Sequence, residues 1–159
     1  MKYTNKHNVP QEIINAIHND NYTKGEAIIS VTGLLQPPRI RLLAKEHSDN
    51  LVIDVSSEIW KLLGQSVHNI LERANEDNKD TITEQRMYSV VKDWTISGQT
   101  DSIDINDNIL KDYKVTSVWS IVSAQTEGKA EWEQQLNLYA YLYRKETGKN
   151  IDGLNIIAI

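Results

Sequence analysis

Apolar residues recur with two different periods along this chain, and the change of period organises it. Pro10 to His18 places Ile13, Ile14 and Ile17 on one side of a short helix. Ala27 to Val31 is apolar enough for a short strand or an extended arm. Pro37-Pro38 suits the first turn of a helix running to about His47. Asp54 to Glu58 opens the next helix, with Ser56 or Ser57 as N-cap. Ile59, Leu63, Val67, Ile70 and Leu71 then follow at helical spacing through about Asn75. After a polar loop over Asn75–Asp80 the period becomes two. Met87 to Val91 and Trp94 to Ile105 read as strands. Asn106-Asp107-Asn108 is a turn, and Ile109 to Thr116 resumes as strand. Glu131 to Lys145 is an amphipathic helix closed by Gly148, and Leu154 to Ile159 reads as a last buried strand. Helices, then a meander, then helix and strand predict a mixed α/β domain. Residues 1–50 are expected to form a helical and extended segment packing on a core of 51–159.

Composition narrows the chemistry. The 159 residues suit one domain. Cysteine is absent, which excludes a disulfide framework, a Cys-ligated zinc or iron–sulfur site and a thiol nucleophile. Seventeen Lys and Arg against 22 Asp and Glu give a net charge of −5. A protein that coats nucleic acid non-specifically is usually basic, so any contact with DNA must be local. Arg39, Arg41 and Lys45 form one candidate phosphate-binding patch, though a solvated helix face explains them equally well. No apolar run approaches the roughly 20 residues of a membrane helix. The polar N-terminus has no signal-peptide core behind it. A cytoplasmic protein with no membrane contact is the expectation, and the Asn21-Tyr22-Thr23 sequon is then a chance match.

The hairpin carries the candidate chemistry. Asp101, Ile103 and Ile105 share one face of their strand, and Leu110, Asp112 and Lys114 share one face of the next. A two-residue loop, Asp107-Asn108, would set Ile103 opposite Asp112 and Asp101 opposite Lys114. Both carboxylates and the lysine then emerge on one side, whereas a slip of one residue would separate the acids. Two carboxylates there are costly without a partner, and a divalent cation is one such partner. Oxygen ligands suit Mg²⁺ or Mn²⁺. Taken alone, Asp112-x-Lys114 reads more simply as a cross-strand ion pair. His68 lies one helical turn after Gly64, and that small residue would let the helix lie close to the sheet. His68 could then add a nitrogen ligand, or it could simply pair with Glu72 on its own helix. Gln135 falls within the apolar stripe of Trp132, Leu136, Tyr139, Leu142 and Tyr143. A buried amide there needs partners, beside a metal or a nucleotide or within the fold.

In order along the chain, these residues resemble the RecB-type branch of the PD-(D/E)XK nuclease superfamily. The similar segments are Gly64-x-x-x-His68-x-x-x-Glu72, Gly98-x-x-Asp101, Asp112-Tyr113-Lys114 and Gln135-x-x-x-Tyr139, within about Ser56 to Ile159. The resemblance implies a restriction-endonuclease-like core, a central mixed sheet flanked by helices with the active site on a hairpin. It implies His68, Asp101, Asp112 and the carbonyl of Tyr113 as metal ligands. Lys114 would be the catalytic lysine, Gln135 and Tyr139 would support the site or touch the scissile phosphate, and Glu72 would stand behind the ligands. Members of this branch with an iron–sulfur cluster are not matched, so the likeness is to small phage-type exonucleases. Such relatives commonly continue beyond the last strand, so the expectation is either a C-terminally incomplete core over 51–159 or one completed by another chain or by self-association.

The expected function is a Mg²⁺- or Mn²⁺-dependent deoxyribonuclease, an exonuclease by resemblance, that hydrolyses phosphodiester bonds with metal-activated water in phage-type recombination or repair. Two alternatives stand beside it. One is a catalytically incomplete subunit that binds nucleic acid or a partner chain. The other is a metal phosphatase acting on small phosphoesters.

Overall fold

A computed structural model describes residues 2–19 and 25–159, and the sequon at 21–23 lies outside them. The fold is built on one long antiparallel pair. Strand β4 (Thr81–Val91) and strand β5 (Trp94–Asp104) pair along their whole length, turning at Lys92-Asp93. β4 begins six residues before the expected Met87. Thr81, Ile82 and Thr83 are good strand formers, but Glu84, Gln85 and Arg86 interrupt the apolar alternation that would have extended the reading.

Strand β6 (Ile109–Lys114) returns along the other edge of β5, with Ile103 opposite Leu110 and Asp104 opposite Ile109. The expected register is therefore wrong by two residues. The loop has four residues, Ile105 to Asn108, because the Asp104 carboxylate accepts from the backbone N–H of Asn106 and Asp107, and Asn108 takes a left-handed φ of 52°. A shift of two preserves facing, so Asp101 and Asp112 still share a side. Extended by two residues, this register sets Asp101 opposite Asp112 rather than opposite Lys114.

Strand β7 (Gly153–Ala158) pairs parallel with β6, and the two-residue strand β2 (Ile29–Ser30) pairs parallel with β5 at Ile96 and Ser97. The result is a mixed five-stranded sheet. β4 occupies one edge of β5, so β2 and β6 share the other. On that second edge Gly98 to Asp101 has no ladder partner, so the sheet is split between β2 and β6 while β4 continues along β5. A smaller parallel pair joins strand β1 (Lys2–Thr4) to strand β3 (Val52–Asp54). Across 50/51, β1 pairs with β3, and β2 joins the main sheet.

Helix α1 (Gln11–His18), the short α2 (Val31–Leu35) and α3 (Pro38–Glu46) precede β3. Helix α4 (Ile59–Ala74) follows a 3₁₀ turn over Val55–Glu58, which Asp54 caps by accepting from the Ser56 N–H. The expected serine caps are therefore replaced by the aspartate before them. Helix α5 (Val118–Glu127) follows β6, and helix α6 (Ala130–Thr147) ends at Gly148, whose left-handed φ of 74° suits a residue without Cβ.

The core joins Val31, Met87, Ile103 and Leu110 to Leu136, Tyr139, Leu142 and Tyr143 of α6. Gly98 makes this seam possible, because a Cβ there would lie 2.8 Å from Leu142 Cδ1 and from the Tyr139 ring. Gly64 is different. Nothing lies within 4 Å of its missing Cβ, so it does not mark close packing of α4 on the sheet. Nor is β7 fully buried, as Leu154 and Ile157 remain exposed. The parallel edge strand packs only part of its surface against α6.

These two glycines carry opposite expectations. Gly64→Ala should raise the unfolding temperature by roughly 2–4 °C, because helix propensity gains about 1 kcal/mol and the new methyl meets no neighbour. Gly98→Ala should lower it, at a cost of about 1–3 kcal/mol for overpacking. Thermal unfolding of both variants checks the contrast.

Candidate metal centre

Three adjacent strands each bring a carboxylate to the split in the sheet. Glu84 falls opposite Asp101, between the pairs Thr83–Ser102 and Gln85–Thr100. Asp101 falls opposite Asp112 on its other side. Like charges directly across a sheet destabilise it unless a positive group intervenes. Here that group is His68 on α4. Its Nδ1 lies 3.2 Å from Asp101 Oδ1 and 3.8 Å from Glu84 Oε1. His68, Glu84 and Asp101 can each offer a ligand atom, all within 4.8 Å of one another.

The ring is oriented from behind. His68 Nε2 lies 3.1 Å from the carbonyl of Tyr113, which can only accept, so Nε2 carries a hydrogen. This leaves Nδ1 as the atom that faces the carboxylates, by proton or by lone pair. In this structure the Tyr113 carbonyl thus has the His68 ring as its partner. The Tyr113 N–H donates to Asp101 Oδ2 at 2.6 Å. A side-chain oxygen thus takes a position that a ladder carbonyl would fill, which anchors Asp101 where the strands part.

Asp112 is buried and sits slightly apart. Its Oδ2 is 2.8 Å from Lys114 Nζ, and its Oδ1 accepts from Gln135 Nε2 at 3.3 Å. Gln135 also donates to the Tyr139 hydroxyl at 2.8 Å and accepts from Lys114 at 3.2 Å. The amide expected to need partners finds three. Burial pushes the Asp112 carboxyl up, Lys114 opposes that shift, and nearby Asp101 adds to it.

A cleft of about 760 Å³ contains His68, Glu84, Asp101, Asp112, Lys114 and Gln135. Tyr139 and Glu72 also line it, so the four segments that carry the resemblance meet at one place. Glu72 is not the partner of His68, because the imidazole turns to the strands. Arg39, Arg41 and Lys45 do not line the cleft, and Arg41 Nη1 donates to the Gly33 carbonyl at 2.8 Å.

Glu84 is the candidate ligand that the sequence reading missed. It lies outside every motif of the resemblance, on a stretch that had no strand assigned. Its backbone takes a left-handed φ of 49°, uncommon outside glycine and costing about 1–3 kcal/mol. The strand-forming run Thr81-Ile82-Thr83 was the signal available, since it would have placed Glu84 across from Asp101.

The donor set fits a divalent cation. Without one, His68 acts as the counter-charge, and hydrogen bonds to Asp101 and then Glu84 push its pKa up to about 10. A cation with two charges would satisfy the same carboxylates better and leave Nδ1 free to ligate. The absence of cysteine means that no Cys-ligated iron–sulfur cluster forms on this chain. Among the described residues no helix is long and apolar enough to cross a membrane.

No protein-family model matches the chain. No curated protein matches it either. Its fold is similar to that in a crystal structure of SSO0001, with a TM-score of 0.64 over 94% of this chain and 72% of that one, at 21% identity. That likeness concerns the fold: an α/β domain with a mixed sheet flanked by helices.

Two pH effects follow from the raised histidine. In the metal-free protein the His68 contribution to stability is complete below about pH 6.5 and fades as pH rises through about 10. The stability lost in His68→Gln should therefore shrink over that interval in denaturant unfolding. Cation binding must expel the same proton, so Mn²⁺ affinity should increase from pH 6 to 9, with proton release visible by calorimetry in buffers of different ionisation enthalpy.

Proposed function

We propose that this protein is a divalent-cation-dependent nuclease that hydrolyses phosphodiester bonds in DNA, on a restriction-endonuclease-like core of the PD-(D/E)XK type. The observation that carries the reading is the meeting of two groups in one cleft. His68, Glu84 and Asp101 form a ligand cluster, and Asp112, Lys114 and Gln135 form a hydrogen-bonded unit beside it. A simple cross-strand ion pair would not explain the carboxylates lined up on neighbouring strands or the histidine aimed at them.

Oxygen donors with one imidazole favour Mg²⁺ or Mn²⁺. When bound, such a cation polarises a phosphoryl oxygen and makes water a stronger nucleophile near neutral pH. The chain's own residues do the rest. Asp101 and Glu84 hold negative charge at the split in the sheet, and Tyr113 orients His68 through its carbonyl. Lys114 brings a positive charge to the place where a phosphate oxygen gains negative charge. Gln135, braced by Tyr139, keeps Asp112 and Lys114 in register. The open cleft suits a nucleic-acid backbone, and the net charge of −5 makes the local centre, rather than a basic coat, the point of attachment.

A second reading rests on the β7 edge. β7 pairs on one side only among the described residues, and Leu154, Ile157 and Ile159 are exposed there. A strand from a partner chain or a second copy would extend the sheet. In that case the chain is a nucleic-acid-binding subunit that becomes active on assembly.

Labelled DNA incubated with Mg²⁺ or Mn²⁺ tests the main reading. Asp101→Asn, Glu84→Gln and Lys114→Ala should each lower the cleavage rate by about 100-fold or more. Cleavage by the unaltered protein that persists at full rate in both Asp112→Ala and Lys114→Ala overturns the assignment. Cation-independent DNA binding without cleavage supports the subunit reading.

A further inference from the structure

We propose that Gln99 and Arg86 set the cation selectivity of this centre by restricting Glu84 to a single ligand oxygen. This rests on the metal-centre reading above and assigns a role to residues outside it. Arg86 and Gln99 are cross-strand partners on β4 and β5, each two residues from a carboxylate of the centre, Glu84 and Asp101. Arg86 Nη2 donates to Gln99 Oε1, and Gln99 Nε2 donates to Glu84 Oε2 at 2.7 Å.

The chemistry fixes the direction of this chain. A guanidinium has only donors, so the oxygen of the Gln99 amide must face it. The NH₂ group of Gln99 must then face Glu84. An amide flip would oppose donor to donor at one end and oxygen to carboxylate at the other. Arg86 therefore locks the amide, and the locked amide occupies Glu84 Oε2. Glu84 Oε1 is the oxygen turned toward His68, 3.8 Å from Nδ1.

A carboxylate held this way favours ligation through the oxygen that carries no hydrogen bond from Gln99. Mg²⁺ and Mn²⁺ take compact octahedral shells at short distances, for which one oxygen per carboxylate is suitable. Ca²⁺ is larger, takes six to eight oxygens and gains from bidentate carboxylates. With a Gln99 N–H already on Oε2, that oxygen has less electron density and freedom to offer, so chelation by both oxygens of Glu84 works against the Gln99 bond. The Arg86–Gln99–Glu84 chain thus discriminates against Ca²⁺ while positioning the ligand for the smaller ions. Gln99 and Arg86 are positioning residues, since they act through Glu84.

Calorimetric titration of the full chain with MnCl₂ and with CaCl₂ tests this without relying on turnover. In Gln99→Leu, Mn²⁺ binding should weaken about tenfold, as for other residues that orient a metal ligand. Ca²⁺ binding should stay level or tighten, so the Ca²⁺-to-Mn²⁺ ratio of dissociation constants falls about tenfold. Arg86→Met leaves the amide in place but frees it to rotate. It should change the ratio in the same direction, and it gives the answer if Gln99→Leu does not fold. A ratio that stays within twofold of the original in the folded variant overturns the proposal, whether both affinities hold or both fall together. Mn²⁺ binding that is lost in Asp101→Asn but unchanged in Glu84→Gln also overturns it, while leaving the metal centre standing. Failure of the unaltered protein to bind either cation overturns both.

Discussion

The structure depends on how three carboxylates on neighbouring strands are kept from repelling one another. Glu84, Asp101 and Asp112 lie in a row across β4, β5 and β6, where the sheet would be more stable with uncharged side chains. Two positive groups answer them. The His68 imidazole faces Asp101 and Glu84, and the Lys114 ammonium faces Asp112. The raised basicity of His68 follows from its hydrogen bonds to Asp101 and Glu84. A fold that needs only stability gains little from such a row, so the arrangement points to a ligand.

The sheet supplies the space that the charges need. β2 and β6 pair with different parts of β5 and leave Gly98 to Asp101 open between them. Asp101 uses the opening by accepting the Tyr113 N–H, which ends the ladder with a side chain. On α6, Tyr139 and Leu142 come down on Gly98, and the same helix sends Gln135 to Asp112 and Lys114. One tight contact thus positions both the core and one wall of the site. The strained backbone of Glu84 belongs to this economy, because burial and hydrogen bonding around it hold a conformation that glutamate does not favour.

Much of this was legible in the residues. Period-two alternation identified the hairpin, and its parity placed Asp101 and Asp112 on one side even though the assumed loop was two residues too short. A slip of two leaves facing unchanged, which is why the two acids share a side despite the error in register. His68 and Gln135 could be singled out because each stands at a position where an apolar face or a helix turn makes its polarity conspicuous. Glu84 could not be found in this way. It sits in a polar run between a loop and a strand, and a carboxylate in such a run looks like any solvated acid. The locking of Gln99 by Arg86 was equally hidden, because only the cross-strand register brings two distant polar residues together.

Local pattern therefore determined most of the longer elements, the two-faced hairpin and the residue types able to hold a cation, since period and propensity act over a few neighbours. Tertiary structure decided which of those residues meet. Distances between strands and helices are set by pairing register, by the close approach at Gly98 and by the side chains that end a ladder, none of which is a property of a short stretch of chain. The histidine tautomer, the row of carboxylates and the single free oxygen of Glu84 all arise from such contacts, and so does the chemistry assigned to this centre.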